Sequence, residues 1–317
     1  MAQFIQTTQQ NHHAIRDELI AGLTALSAFT SPKFLYDALG SKLFEAICVL
    51  PEYYPTRTEA AIFDDHAQDI AASVGTGSTL IDLGAGNCAK ASRLFPLLKP
   101  VQYVPLDISV DFLRESVGRL QQQWPDIDMI GVGGDFSATL HLPDHVSQKK
   151  RLFFYPGSSL GNFTPEESVA FLQRIKASCG ADGGLLIGID LIKDVGLLNA
   201  AYDDALGVTA SFNLNSLCHL NHLLDADFNV RDWKHCGFFN AALNRIEMHL
   251  EARTEVTVCW QDGGQRRFAE GERIHTENSY KYTQASFLGL LERAGFAAER
   301  VWTDTRGWFM VCHARAL

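Results

Sequence analysis

Apolar positions along this chain predict alternating strands and helices. Between residues 79 and 193, short apolar runs of the kind found in buried strands alternate with segments of helical spacing. A helix at 284–294 and strands near 300–303 and 308–313 resume the pattern. Such alternation indicates a parallel sheet with right-handed crossovers. The strands predicted for the first part are 79–83, 103–107, 129–132, 151–155 and 184–190.

The segments outside this alternation predict a second lobe. Those with mainly helical spacing are 14–26, 31–50 and 195–250, whereas 252–282 alternates as strands do. We therefore predict an α/β core over 56–195 plus 283–317. A mixed α+β substrate-binding lobe is predicted over 1–55 plus 196–282.

The segment 50–59, Leu-Pro-Glu-Tyr-Tyr-Pro-Thr-Arg-Thr-Glu, contains two prolines. Because proline is not tolerated in a helix interior, we expect a structured loop here, followed by a helix capped by Thr56 or Thr58. Tyr53 and Tyr54 lie between the prolines, and the face of a tyrosine ring can bind a cation. Simple packing of the loop explains both rings equally well.

Composition narrows the class of protein. The 317 residues are 46% hydrophobic and 20% charged, as in soluble globular proteins, and the net charge of −10 argues against nucleic acid as a partner. No apolar run approaches the length of a membrane span, and the first residues lack the pattern of a signal peptide. Seven cysteines without C-x-x-C pairs indicate reduced thiols. We expect a cytoplasmic monomer that contacts no membrane.

Three predicted strands end in residues suited to a nucleotide-like ligand. The first runs into Gly84-Ala-Gly86, where the missing Cβ lets a ligand approach the backbone. The second ends in Asp107, which can accept hydrogen bonds from a ribose diol, and the third leads to Asp135-Phe136, which suits an adenine. This ordered triple favours the S-adenosylmethionine (SAM) site of seven-stranded Rossmann-like methyltransferases. A nicotinamide dinucleotide fits less well, because Ala89 replaces the third glycine.

Two other segments are candidates for binding an acceptor. The loop Gly157-Ser-Ser-Leu-Gly-Asn162 follows the fourth strand, and the Asn162 amide can bind an amine and a carboxylate, although a plain glycine turn is the alternative. Glu277 and Ser279 lie two apart on an extended segment and point the same way, either toward a polar heterocycle or into solvent. The clustered histidines lack further ligands at suitable spacing, so no metal is predicted.

Several segments together resemble the histidine-specific N-alpha-methyltransferases of ergothioneine biosynthesis. The resemblance covers about residues 30–315, and the segments that carry it are 36–44, 50–57, 157–162, 201–213, 224–228, 245–248 and 276–281. It implies SAM as the methyl donor and no metal. It also implies three successive transfers to the α-amine of L-histidine, through mono- and dimethyl intermediates, to give hercynine.

The resemblance also implies roles for individual residues. Those at donor-binding positions are Tyr53, Gly84, Gly86, Lys90, Asp107, Asp135 and Phe136. Those at the acceptor's amine and carboxylate are Gly157, Asn162 and Tyr202, of which Asn162 and Tyr202 would orient the amine for catalysis. Those around the imidazole are Tyr36, Glu277 and Ser279, with Phe44 and Met248 as walls.

The chain departs from the family pattern in two loops. Ser158 and Ser159 stand where Gly-Thr is expected, and Asn87 and Cys88 also differ from the usual glycine loop. The alternatives that keep the fold are methylation of another amino acid or a thiol-histidine, and a non-catalytic sensor that holds SAM. A nicotinamide-dependent dehydrogenase is the third alternative.

Overall fold

The computed structural model describes residues 2–6, 12–137, 139–180 and 182–317. These described residues divide into two compact units. Unit 1 contains the described parts of Met1–Thr8, Pro55–Ile192 and Tyr280–Leu317. Unit 2 contains those of Gln9–Tyr54 and Lys193–Ser279.

The described strands are β1 Gln3–Gln6, β2 Thr79–Leu83, β3 Gln102–Asp107, β4 Asp128–Gly133, β5 Arg151–Tyr155, β6 Gly184–Asp190, β7 Trp233–Asn240, β8 Arg245–Ala252, β9 Val256–Trp260, β10 Gly264–Phe268, β11 Arg273–Tyr280, β12 Phe296–Thr303 and β13 Phe309–Ala316. The described α-helices are α1 His12–Thr24, α2 Ala38–Ile47, α3 Tyr54–Asp65, α4 Ala67–Val74, α5 Ala89–Ser92, α6 Phe95–Leu98, α7 Val110–Gln123, α8 Pro165–Cys179, α9 Val195–Tyr202, α10 Val208–Leu224 and α11 Gln284–Arg293. Short 3₁₀ helices lie at Pro32–Leu35, Ser159–Asn162, Val230–Asp232 and Gln261–Gly263.

Unit 1 is built on one sheet with the order β1-β4-β3-β2-β5-β6-β13-β12 in its described part. Its strands run parallel except β13, which is antiparallel to both β6 and β12. Strand order reverses at β2, which pairs with β3 on one side and β5 on the other. The carboxyl ends of strands beside such a reversal are where α/β sheets bind ligands. This arrangement confirms the predicted α/β methyltransferase fold class.

The core strands lie where the apolar pattern predicts them, because they are buried on both faces and read as continuous apolar runs. The strands β2, β5 and β6 have the predicted bounds. The N-terminal strand β1 is an addition that the sequence pattern does not indicate. It pairs in parallel with β4 at the edge of the sheet, although its residues belong to the segment predicted for the second lobe.

The expected loop over 50–59 is wrong in its second half. Helix α3 begins at Tyr54 and includes Pro55, so neither Thr56 nor Thr58 precedes it as a cap. Proline is tolerated in the first turn of a helix, since its missing N–H would have no partner there. Glu59, on this helix, is buried in unit 1.

Unit 2 combines helices with short antiparallel sheets. Its core is formed by apolar side chains of α1, α10 and the strands that follow, including Leu19, Leu217, Trp233 and Phe268. The prediction of mainly helical structure over 195–250 holds to Leu224 and is wrong beyond it, because β7 and β8 form an antiparallel pair with Gly237 opposite Met248. Each of these strands is stabilised by its neighbour in the sheet, which helical spacing alone does not reveal.

A buried ion pair closes unit 1 at the end of β6. The Lys281 Nζ lies 2.8 Å from Asp190 Oδ2, and neither side chain is exposed to solvent. The backbone N–H of Asp190 donates to Ser158 Oγ at 2.9 Å. Asp190 therefore connects the end of β6 both to Lys281 and to the loop that follows β5.

Replacing Lys281 with Met should lower the free energy of unfolding by about 3–5 kcal/mol, because it leaves a buried carboxylate without its cation. Urea denaturation followed by circular dichroism measures this. The control Arg300→Met breaks an exposed pair with Asp69, for which we expect a loss of at most about 1 kcal/mol. Equal losses for both variants would contradict a special role for the buried pair.

Candidate active site

The glycine loop after β2 takes a conformation that L side chains rarely adopt. Gly84 has φ of 71° and Gly86 has φ of 52°. Apart from Gly86 and its two neighbours in the chain, no atom of the described residues lies within 4 Å of the position that a Cβ on Gly86 would occupy. The backbone of this loop therefore faces space that a ligand can enter.

Asp107, the last residue of β3, bonds to the glycine loop and to the segments that follow β3 and β4. Its Oδ2 accepts the N–H of Gly86 and its Oδ1 accepts the N–H of Ser109, both at 2.8 Å. Its backbone oxygen accepts the N–H of Gly134, after β4, at 2.9 Å. Burial raises the pKa of the Asp107 carboxyl, and the two N–H groups partly offset that rise. Each carboxylate oxygen has a second lone pair, so the same atoms can also accept a ribose hydroxyl.

Phe136 and Asp135 follow β4 at the same edge of the sheet. The Phe136 Cζ lies 3.8 Å from the position that a Cβ on Gly84 would take, and its ring packs edge-on against Tyr155. Asp135 Oδ1 accepts the backbone N–H of Ser137 at 2.8 Å. The predicted donor-binding residues at the ends of the first three core strands therefore lie together.

Lys90, on α5, pairs with a carboxylate that the sequence pattern does not single out. Its Nζ donates to Glu59 Oε2 at 2.7 Å, and Glu59 Oε1 accepts the backbone N–H of Gly157 at 2.7 Å. The Glu59 side chain is only 1% exposed, whereas that of Lys90 is 39% exposed. Glu59 therefore links the loop after β2 to the loop after β5.

Glycines make room for this link. A Cβ on Gly188, in β6, would lie 2.0 Å from Glu59 Oε1, and one on Gly157 would lie 2.9 Å from Lys90 Nζ. The sequence indicates that Glu59 lies near the start of a helix, because it closely follows Pro55. It does not indicate which residues Glu59 contacts.

The departure at Ser158 has a structural counterpart. Ser158 has φ of 59°, a conformation that glycine adopts readily and serine rarely. Its hydroxyl accepts the N–H of Asp190, a bond that the glycine of the family pattern cannot form. The 3₁₀ helix that follows ends at Asn162, which is half-buried in unit 1.

A cluster of aromatic rings occupies unit 2. Tyr36 lies with its ring centroid 5.5 Å from that of Phe44 and 5.4 Å from that of Phe212. Tyr53 lies 6.2 Å from Phe44 and 6.0 Å from Tyr202. Tyr53, predicted among the donor-binding residues, thus belongs to unit 2, as do Tyr202 and the candidates for the imidazole, whereas Gly157 and Asn162 belong to unit 1. Phe212 was not assigned, although it lies within the segment 201–213 that carries the resemblance.

Burial keeps the Tyr53 phenol protonated. Desolvation raises its pKa well above the ordinary value, and the neighbouring Tyr202 raises it further, with smaller contributions that include the charge of Glu277. At neutral pH the phenol is therefore neutral. It can offer a ring face and a hydroxyl, but it is a poor acceptor for a proton from an ammonium group.

Glu277 and Ser279 lie on one face of β11 and are buried, with 9% and 4% of their surfaces exposed. The Tyr202 hydroxyl donates to Ser279 Oγ at 2.8 Å. Met248, on β8, is also buried, and its backbone oxygen accepts the hydroxyl of Thr276 at 3.0 Å. The solvent-facing alternative for Glu277 and Ser279 is therefore wrong.

Within the described ranges, no group of three or more His, Cys, Asp or Glu residues is arranged to hold a metal ion. None of the helices in those ranges combines the length and the apolar character needed to cross a bilayer.

Comparison with known proteins agrees with this geometry. A family model described as histidine-specific, SAM-dependent methyltransferase matches residues 15–316. The chain belongs to this family. The histidine N-alpha-methyltransferase of Mycolicibacterium smegmatis is 39% identical over 302 residues, which cover 93% of both chains. That of Mycobacterium tuberculosis is 37% identical and covers 94% of both. An N-methyltransferase of Aspergillus flavus is 28% identical, covering 92% of this chain and 82% of its own.

Replacing Glu59 with Gln tests the link between the two loops. Gln keeps an acceptor for the Gly157 N–H but removes the charge that holds Lys90, so we expect the Kd for S-adenosylhomocysteine (SAH) to rise by about tenfold or more. Isothermal titration calorimetry measures this. Asp64→Asn is the matched control. Asp64 lies on the same helix as Glu59, and the change breaks its exposed pair with Arg93. Equal affinity in both variants would contradict a role for Glu59 in donor binding.

Proposed function

We propose that this protein transfers three methyl groups from SAM to the α-amine of L-histidine, giving hercynine, the first step toward ergothioneine. The observation that carries the proposal is the buried pair Glu277 and Ser279 on one face of β11, in a unit that also holds the aromatic cluster. Membership of the histidine-specific family and the two mycobacterial relatives support the choice of acceptor. Unit 1 is then the SAM-binding core and unit 2 the substrate-binding lobe.

The residues of unit 1 fit a SAM site. The open backbone at Gly84 and Gly86 admits the donor, Asp107 accepts the ribose hydroxyls, and Asp135 and Phe136 bind the adenine. Lys90, held by Glu59, is placed for the donor's carboxylate. When bound, SAM supplies a methyl group on a positively charged sulfur, whereas the orienting contacts come from this chain and the proton that the amine releases is accepted by water.

The residues of unit 2 fit an imidazole. A carboxylate can accept an imidazole N–H, whereas a phenylalanine or leucine side chain offers it no donor. Glu277 therefore selects histidine, Ser279 adds a hydroxyl on the same face, and Phe44 and Met248 form apolar walls. Tyr36 packs against Phe44.

The aromatic cluster suits a reaction whose product is a permanent cation. Each methylation leaves a positive charge on the amine, and ring faces stabilise a cation by about 0.5–2 kcal/mol. Asn162 and Tyr202 orient the amine's lone pair toward the methyl group, at an approach of about 3–3.5 Å. Gly157 provides a backbone group for the carboxylate. Because Tyr53 stays neutral, we assign the removal of protons to water rather than to its phenol.

The environment is part of the proposal. The partners are the small molecules histidine and its mono- and dimethyl forms, and we infer that the protein acts as a cytoplasmic monomer without a metal. None of the seven cysteines, all of which lie within the described residues, forms a disulfide, which supports a reducing compartment.

Mass spectrometry of the protein incubated with SAM and an equimolar pool of amino acids tests the proposed function. We expect histidine heavier by three methyl groups, with little mono- or dimethyl product. A shifted mass on another amino acid would move the specificity claim to the loop that contains Ser158 and Ser159. No shift on any amine, together with retained SAM binding, would leave a thiol-histidine acceptor or the sensor alternative.

Replacing Glu277 with Ala should mainly weaken histidine binding, because the imidazole loses its charged partner. We expect the KM for histidine to rise by roughly 100-fold, with a smaller change in the Kd for SAH. Steady-state kinetics measures the first and calorimetry the second. Glu255→Ala is the control in the same unit, where the carboxylate pairs with Arg267 at the surface. An unchanged KM for histidine would remove the specificity role.

Replacing Asn162 with Ala should abolish methyl transfer while SAH still binds, because the amide orients the acceptor and not the donor. Asn162→Asp is the matched variant, since it keeps an oxygen acceptor and loses the N–H donors. Single-turnover assays and calorimetry separate the two effects. Loss of SAH binding in the Ala variant would show that Asn162 had been assigned to the wrong ligand.

A further inference from the structure

His235 contacts the backbone of Tyr202, one of the two proposed catalytic residues. Tyr202 is the last residue of α9, a position at which groups outside the regular helical pattern bond to the carbonyl oxygen. The Nε2 atom of His235, on β7, lies 2.9 Å from that oxygen. The end of α9 is therefore held by a side chain from the neighbouring sheet of unit 2.

Neighbouring carbonyls determine which nitrogen of His235 carries the proton. A carbonyl oxygen only accepts, so Nε2 must donate to Tyr202. The other ring nitrogen, Nδ1, lies 2.9 Å from Asn213 Nδ2, which also donates to the backbone oxygen of His249 at 3.0 Å. Because that oxygen too is an obligate acceptor, the amide nitrogen of Asn213 must face it. His235 is thus a neutral imidazole with its proton on Nε2.

The close approach of α9 to β7 is itself specified by the sequence. Gly237 lies on the same face of β7 as His235, and a Cβ there would lie 2.6 Å from the carbonyl oxygen of Tyr202. A second bond joins the same two elements, because the N–H of Phe239 donates to Asn199 Oδ1 at 2.7 Å. Any larger residue at position 237 would push Tyr202 away from His235.

Tyr202 is thus fixed at both ends. Its carbonyl accepts from His235, and its hydroxyl donates to Ser279 Oγ at 2.8 Å. Burial lowers the pKa of His235 despite the opposing effects of the Tyr202 carbonyl and of Asp203 and Asp204. The imidazole therefore stays neutral at pH 7 and keeps both of its hydrogen bonds.

We infer that His235 is a positioning residue for methyl transfer, which holds Tyr202 through a hydrogen bond to its backbone. The inference rests on the proposed function, since it assigns Tyr202 a part in orienting the amine. A misplacement of a reacting group by about 1 Å can slow a reaction by roughly 100-fold. Loss of the bond should therefore lower kcat without disturbing the donor site of unit 1.

Two variants of equal side-chain length test the inference. His235→Gln keeps an N–H at the end of the side chain, and His235→Met places no donor there. We expect kcat for histidine in the Met variant to be roughly 10–100-fold below that of the Gln variant, with the same Kd for SAH in both. His313→Phe is the control for loss of a half-buried histidine, since the His313 side chain bonds to Ser73 Oγ in unit 1. Its kcat should match the wild type.

The outcomes separate the inference from the proposed function. Equal kcat values in the Gln and Met variants would overturn the positioning role, and so would loss of SAH binding in the Met variant, because it would indicate a general structural role. A wild-type protein that does not methylate histidine at all would overturn the proposed function, and the inference would fail with it.

Discussion

The buried carboxylate of Glu59 is the interaction on which the proposed donor site depends. It joins α3, the Lys90 ammonium and the loop after β5, and it fits because Gly188 leaves space against β6. A carboxylate this deeply buried is stable only when its oxygens are bonded. The loop proposed to bind the donor and the loop proposed to bind the acceptor's carboxylate are thereby held in one arrangement.

Unit 2 uses the same principle with different groups. Glu277 and Ser279 are buried on one strand, Tyr202 bonds to Ser279, and His235 holds the backbone of Tyr202. Tyr202 and Ser279, both proposed to touch the acceptor, thus belong to one hydrogen-bonded network. Such support is what keeps a binding site within the narrow tolerance that catalysis requires.

The sequence predicts the parts of the site that depend on local pattern. Gly84, Asp107 and Phe136 lie at ends of strands whose apolar runs can be recognised from spacing, and Glu277 and Ser279 come from a motif of the family. Glu59 and His235 cannot be found this way, because their partners are remote in the chain: Glu59 and Gly157 are 98 residues apart. The strands β7 and β8 could not be predicted from helical spacing either, since their stability comes from pairing with each other.

A crystal structure of the protein with SAH and L-histidine tests the central claim most directly. The account predicts an imidazole N–H within hydrogen-bonding distance of Glu277, with Ser279 beside it and the α-amine facing Asn162 and Tyr202. It also predicts the SAH ribose on Asp107 and the adenine against Phe136. An imidazole bound away from Glu277, or a histidine whose amine faces away from the sulfur of SAH, would contradict it.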